Sequence, residues 1–200
     1  ASVMYDVLNH IAIDSVLAKA KAYEVDLAIE HLASSQENDL LIYDRNYPSY
    51  RHLAHLSILK KKFVIRCSSA SFKQAREMLN GKGGNSQIIT LSPHHTKLKE
   101  IQECELPQSI TVRFVRIKLP TGEYEVLVTS LVDEEKFPTD DFLYIYNLRW
   151  GIESFYGILK NRLNLENFSG KTAQSVYQDF YSTIYLSGLE SILTDDVNEE

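Results

Sequence analysis

The 200-residue sequence has only two cysteines and no long hydrophobic run, and both absences exclude classes of protein. Cys67 and Cys104 fit neither a metal-ligand spacing nor a disulfide framework, which favours a reducing compartment. Apolar runs such as Leu40–Tyr43 and Phe63–Ile65 are far too short to cross a bilayer, and no N-terminal signal segment is visible. We therefore predict a cytoplasmic protein that has no membrane partner.

Positive charge is also scarce, because 21 Lys and Arg residues face 27 Asp and Glu residues, for a net charge of -6. The chain therefore lacks the basic balance that is usual in nucleic-acid-binding proteins. Any surface for nucleic acid must be a local patch. Basic residues cluster at Lys60–Lys62 with Arg66, at Arg113–Lys118 and at Arg149–Lys171, whereas the tail Thr194–Glu200 is acidic.

Two other motifs are incomplete. Asn80–Ser86 holds three of the eight glycines but lacks the Gly-Lys-Ser/Thr ending of a phosphate-binding loop, so we predict a flexible linker. His52 and His55 are one helical turn apart and His94 precedes His95, yet neither pair has a third ligand. We predict solvated surface histidines at these positions.

Hydrophobic periodicity predicts an α/β protein that opens with a hairpin and then alternates helices with short apolar strands. After a hairpin within residues 1–18, the predicted strands are Asp39–Tyr43, Lys62–Cys67, Gln87–Leu91, Ile110–Leu119 and Tyr124–Leu131. The predicted helices are Tyr23–Ala33, Tyr50–Leu59, Ser71–Leu79, a long helix that opens near Thr139, and Lys171–Leu193. We predict that residues 85–135 form a β-rich insertion between residues 1–84 and residues 136–200.

The stretch Tyr146–Lys160 combines an apolar stripe with a polar one. At helical spacing the apolar stripe faces a core, and it consists of Ile145, Leu148, Ile152, Phe155, Leu159 and Leu163. The polar stripe, about 100° round the helix, consists of Tyr146, Arg149, Glu153 and Lys160. An ordinary surface ion pair explains the four-residue spacing of Arg149 and Glu153. The alternative is a binding site, since a rigid helix holds polar side chains well beside a cleft.

Asp44 directly follows the predicted buried strand Asp39–Tyr43, and Pro48-Ser49 begins the next helix. Open sheets place their ligands at the carboxyl ends of strands, which makes Asp44 a candidate site residue. An acid in this position is equally typical of a turn or a helix cap.

Both motifs resemble those of the insertion-sequence-four group of bacterial DDE transposases. The pattern Tyr-x2-Arg-x3-Glu-x6-Lys is similar to the signature of that group, with Trp150 and Phe155 in the expected places. The segment Asp44-Arg45-Asn46-Tyr47 resembles its Asp-Arg-Gly-Tyr motif, and Asn46 in place of Gly tolerates positive φ. The resemblance implies a ribonuclease-H-like mixed sheet flanked by helices, with the core in residues 1–84 and 136–200 and a β-rich insertion at 85–135.

The resemblance also implies a mechanism. Asp44 and Glu153 would be catalytic metal ligands, and Tyr146, Arg149 and Lys160 would bind DNA phosphates. Carboxylate oxygens suit Mg²⁺ or Mn²⁺, and two such ions about 3.5–4 Å apart activate a water or a 3′-hydroxyl. We expect cleavage of double-stranded DNA at insertion-sequence ends and strand transfer to a target, by a homodimer in the active complex.

The family's first catalytic Asp lies on the first core strand in an Asp-Gly-Thr/Ser context, and this sequence has no such motif. Asp6 and Asp14 match positions after that strand, so neither is assigned. We expect that the first core strand is missing, that the 200 residues are an inactive fragment, and that an open sheet edge drives self-association. The alternatives are a non-catalytic transposase remnant that acts as a DNA-binding or interaction module, and a ribonuclease-H-like nuclease. The Tyr/Arg/Lys frame disfavours the nuclease.

Overall fold

A computed structural model describes residues 1–19, 21–162 and 168–195 of the chain. Contacts group the chain into two compact units. Unit 1 consists of Ala1–Ser34 and Leu148–Glu200, and unit 2 consists of Ser35–Asn147.

Unit 1 is built on the predicted N-terminal hairpin, which the structure confirms. Strands β1 (Ser2–Asp6) and β2 (Ile11–Val16) pair antiparallel, and the carboxylate of Asp6 accepts backbone hydrogen bonds in the turn. The helices of unit 1 are α1 (Glu24–His31), α6 (Trp150–Gly157) and α7 (Ala173–Asp195), and a π-helical turn (Ile158–Arg162) follows α6. A core cluster of unit 1 joins the hairpin to α6, the π-helical turn and α7, and consists of Val3, Phe155, Leu159, Phe180 and Ile184.

Unit 2 contains a five-stranded mixed sheet. Its strands are β3 (Leu40–Tyr43), β4 (Lys62–Cys67), β5 (Ser86–Leu91), β6 (Ile110–Lys118) and β7 (Tyr124–Thr129), in the order β3-β4-β7-β6-β5. The pair β3 and β4 is parallel, and every other pair is antiparallel. The central strands β4 and β7 contain the apolar runs Phe63–Ile65 and Val126–Val128, in which consecutive side chains, and therefore both faces of the sheet, are buried.

Helices of unit 2 flank this sheet. They are α2 (Tyr50–Ile58), α3 (Lys73–Leu79), α4 (Leu98–Glu103) and α5 (Asp141–Asn147). The α5 residues Phe142 and Tyr146 join a core cluster with Val64, Val115 and Leu127 of the sheet. The predicted fold class, a mixed sheet flanked by helices, is therefore confirmed. Strand β7 of the predicted insertion pairs with β4, and β6 and β5 continue the same sheet. The three-part division of the chain stays a prediction.

The long helix expected around Tyr146–Lys160 is interrupted. Helix α5 ends at Asn147 and α6 begins at Trp150, and the boundary between the two units falls at this break. Between them, the N–H of Gly151 donates to the carbonyl oxygen of Leu148 at 3.0 Å, a bond of the tighter i→i−3 kind.

Burial follows the predicted apolar stripe in part. Phe155 and Leu159 are buried, whereas Ile145, Leu148 and Ile152 are half-buried, and Leu163 lies outside the described residues. In α7, the sequence predicts that Phe180, Ile184, Leu186 and Leu189 lie in the core. Phe180 and Ile184 are buried, but the prediction is wrong for Leu186 and Leu189, whose side chains are 55% and 39% exposed.

None of the helices in the described part of the chain is long and apolar enough to span a membrane.

Candidate catalytic carboxylates and their surroundings

Asp44 lies in unit 2, directly after β3, at the start of the turn that leads to α2. Its carbonyl oxygen accepts a hydrogen bond from the N–H of Tyr47 at 3.1 Å, and its Oδ1 accepts one from the N–H of Arg45 at 2.6 Å. Ser49 then caps α2 by accepting from the N–H of His52 at 3.2 Å. This local bonding fixes the backbone of Asp44 at the carboxyl end of a strand, the position that the sequence predicted.

His52 holds the same turn through a bond to Tyr47. The prediction that His52 is a solvated surface histidine is wrong. Its side chain is fully buried, and its Nδ1 donates to the carbonyl oxygen of Tyr47 at 3.1 Å. Its ring meets the ring of Tyr43 edge-on at 4.7 Å. Burial lowers the pKa of His52 to about 4, against the opposing effect of the bond to Tyr47, so the ring is neutral at pH 7. His94 and His95 are exposed, as predicted.

Glu153 lies on α6 in unit 1, and its side chain is half exposed. Arg149, one turn earlier, donates from Nη1 to Oε1 of Glu153 at 2.8 Å. The guanidinium of Arg149 also lies over the ring of Trp150, 4.4 Å from its centroid. Two of the predicted site residues are thus brought together in one ion pair on a helix surface.

Tyr146 and Lys160 have different surroundings. Tyr146 is only 3% exposed and packs in the core cluster of unit 2, whereas Lys160 is exposed on the π-helical turn of unit 1. A π-helical turn often occurs at a functional site. The break after Asn147 puts Tyr146 in one unit and Arg149, Glu153 and Lys160 in the other. The phosphate-binding roles of these residues stay predictions.

The donor chemistry of the two carboxylates fits a divalent metal. Within the described residues, Oδ2 of Asp44 and Oε2 of Glu153 have no hydrogen-bond partner, so each carboxylate retains an oxygen for a ligand. Mg²⁺ and Mn²⁺ prefer such oxygens. Across the described part of the chain, no group of three or more His, Cys, Asp or Glu side chains is arranged to hold a metal ion. Asp44 belongs to unit 2 and Glu153 to unit 1, and their joint use of a metal stays a prediction.

The carboxylates of Asp6 and Asp14 accept hydrogen bonds from nearby groups, which supports assigning neither residue to the catalytic site. Asp6 holds the hairpin turn. Oδ2 of Asp14 receives Nδ1–H of His31 at 2.8 Å and the hydroxyl of Ser34 at 3.0 Å. Burial raises the pKa of Asp14, but these hydrogen bonds outweigh it and lower the pKa overall. No motif or spacing in the sequence marks His31, so this cluster was not predictable from the sequence.

Comparison with known proteins gives one family. Residues 1–186 match the sequence profile of the family described as "Transposase DDE domain". A comparison with curated proteins finds no match.

Proposed function

The chain belongs to the transposase DDE domain family, whose chemistry is the cleavage and transfer of DNA, and we propose that it supplies catalytic carboxylates for these steps at insertion-sequence ends. In this proposal the protein is of the insertion-sequence-four type. Its partner is double-stranded DNA, both at the element ends and at the target, and the active complex is a homodimer.

Asp44 and Glu153 are the proposed metal ligands. Asp44 directly follows strand β3, and Glu153 lies on helix α6. Each keeps one carboxylate oxygen without a protein partner in the described residues. When bound, Mg²⁺ or Mn²⁺ would supply an activated hydroxyl nucleophile and charge stabilisation at the leaving oxygen. The carboxylates would fix the position of that charge, and the turn anchored by His52 would hold Asp44 still.

Arg149 and Lys160 are the proposed phosphate ligands. Arg149 has a planar fork that suits a phosphate, and Lys160 carries a single exposed charge on the same unit. Tyr146 completes the family pattern. Because its side chain is in the core cluster, its hydroxyl meets a phosphate only if the end of α5 moves.

The observation that carries the proposal is the family match over residues 1–186, together with Asp44 at a strand end and Glu153 on a helix surface. An alternative with its own support is a non-catalytic remnant that acts as a DNA-binding or interaction module. The absence of an Asp-Gly-Thr/Ser motif in these 200 residues favours it. For the same reason, we propose that the 200 residues alone do not cleave DNA.

The test is a cleavage and strand-transfer assay with Mg²⁺ or Mn²⁺, using protein expressed from its whole reading frame and DNA that carries its element ends. Asp44→Asn and Glu153→Gln should each abolish both steps, while Glu37→Gln, an exposed control that also removes one charge, should not. Activity that survives in either variant contradicts the catalytic assignment. Specific DNA binding by the unsubstituted protein without any cleavage supports the remnant instead.

A further inference from the structure

A pocket of unit 2 brings three consecutive lysines together with hydroxyl groups. Its volume is about 220 Å³, which holds a phosphate group with several waters, since a water occupies roughly 30 Å³. The floor is apolar and consists of Leu53, Phe63 and Val112. The polar rim consists of Ser57, Lys60, Lys61, Lys62, Thr111 and Ser130, and contains no carboxylate.

The pocket lies at the opposite end of the sheet from Asp44. Strands β3 and β4 are parallel, with Leu40 beside Lys62 at one end of the ladder and Tyr43 beside Ile65 at the other. Asp44 follows Tyr43, so the length of this ladder separates it from the lysines, roughly 3.3 Å for each residue. The lysine pocket is therefore a separate site from the proposed catalytic carboxylate.

A tight helix ending creates the lysine row. After α2, the N–H of Lys60 donates to the carbonyl oxygen of Ser57 at 3.0 Å, and the N–H of Lys61 donates to that of Leu56 at 2.9 Å. Lys60 takes a φ of 52°, a left-handed conformation in which Gly or Asn is usual. With Lys at this strained position in place of Gly or Asn, the rim of the pocket has one more positive charge.

The ammonium groups of Lys61 and Lys62 are held by uncharged oxygen atoms, so their positive charge is not neutralised. Lys61 donates to the carbonyl oxygen of Ser35 at 2.8 Å, and Lys62 donates to the side-chain oxygen of Asn38 at 3.2 Å. None of the three lysines pairs with a carboxylate within residues 1–19, 21–162 and 168–195. In a chain whose net charge is -6, this leaves a local cationic patch beside hydroxyl donors, which is the chemistry of an anion site.

We propose that this lysine pocket binds phosphodiester groups of double-stranded DNA, as a backbone contact separate from the carboxylates. Ammonium groups on a continuous row suit the repeated charge of a DNA strand, and such contacts position DNA without reading its sequence. The proposal does not depend on catalysis by Asp44 or Glu153. It predicts binding that needs no divalent metal and that persists in the Asp44→Asn variant.

The test measures binding of a fluorescent 30-base-pair duplex of random sequence in EDTA, by anisotropy, from 50 to 200 mM salt. The test variant is Lys60→Asn with Lys62→Gln, which spares Lys61 and its bonds to the backbone, and Asn tolerates the positive φ at position 60. The control is Lys73→Gln with Lys82→Gln, an equal loss of charge at exposed positions of the same unit. Thermal melting checks that both variants fold.

We expect the test pair to weaken binding roughly 5- to 10-fold at 100 mM salt and to reduce the slope of log K against log salt by about 1.8, since each phosphate contact contributes about 0.9. The control pair should leave the slope unchanged. Equal losses in both pairs, or no measurable DNA binding, would overturn the proposal. Binding of inorganic phosphate at this pocket by a protein that does not bind the duplex would also overturn it, because that result assigns the pocket to a free phosphate.

Discussion

Arg149 and Glu153 form a hydrogen-bonded ion pair across one helical turn, with 2.8 Å between Nη1 and Oε1. The Arg149 side chain is 10% exposed and that of Glu153 is 50% exposed, so the pair joins a packed cation to a solvated carboxylate. A pair of this kind stabilises a helix by only about 0.3–0.5 kcal/mol. Its small energetic value allows stability and function to be separated experimentally.

Replacing Arg149 by Ala should reduce DNA cleavage and strand transfer at least tenfold while lowering stability by no more than about 1–2 kcal/mol, mostly through lost packing of the side-chain stem. Urea unfolding and the strand-transfer assay measure the two effects. Lys99→Ala is the matched control, because it breaks another i,i+4 pair, with Glu103 at 3.6 Å. A large loss of stability with normal strand transfer would make the Arg149–Glu153 pair purely structural.

Replacing Glu153 by Gln should leave the free energy of unfolding within about 0.5 kcal/mol of its original value, since an exposed ion pair contributes little. The amide keeps the shape of the side chain but binds a divalent metal poorly, so metal-dependent DNA cleavage should be lost. The same sample supplies both measurements. Full cleavage activity in this variant would remove Glu153 from the proposed active site.

The buried ring of His52 should make stability depend on pH. Its pKa is about 4 in the folded protein, against about 6.5 in an unfolded chain. Between these values the unfolded chain binds a proton that the folded protein excludes. The stabilisation is therefore complete above about pH 6.5 and falls by about 2–3 kcal/mol as the pH approaches 4.

Urea unfolding from pH 4.5 to 7.5 measures this dependence for His52→Phe, in which the slope over that range should flatten. His95→Gln removes an exposed histidine and should retain the slope of the original protein. If the slope of His52→Phe equals that of the unsubstituted protein, another group is responsible for the pH dependence.

Arg113 should be the most costly single charge to remove from unit 2. Its guanidinium is buried, and it donates to the carbonyl oxygen of Phe137 at 2.6 Å and to the hydroxyls of Thr139 and Ser86 at 3.0 and 2.8 Å. Arg113→Met leaves these partly buried acceptors without their donor. We expect a loss of about 2–4 kcal/mol in the free energy of unfolding.

Arg116 is the control for this loss. It lies three residues further along the same strand, is half exposed, and lies over the ring of Tyr124 at 3.7 Å. Arg116→Met should cost less than half as much in urea unfolding. Equal losses in the two variants would show that the bonds from Arg113 to the segment before α5 contribute little to stability.

Local periodicity determined most of the secondary structure. The apolar run before Asp44 and the alternation in the hairpin specify their elements because neighbouring residues decide which faces can be buried. The two groups of polar residues, one at Asp44 and one around Glu153, were also recognisable in the sequence as motifs. The strand Lys62–Cys67 has the same bounds in the prediction and in the structure.

Only tertiary structure decided the rest. Whether His52 is solvated depends on the ring of Tyr43 and the carbonyl of Tyr47, contacts that the surface-like pattern of α2 does not encode. The helix around Glu153 is broken because its two halves bury their apolar residues in different cores, Tyr146 in one and Phe155 in the other. A sequence specifies which residues must leave water, and the packing partners specify where they go.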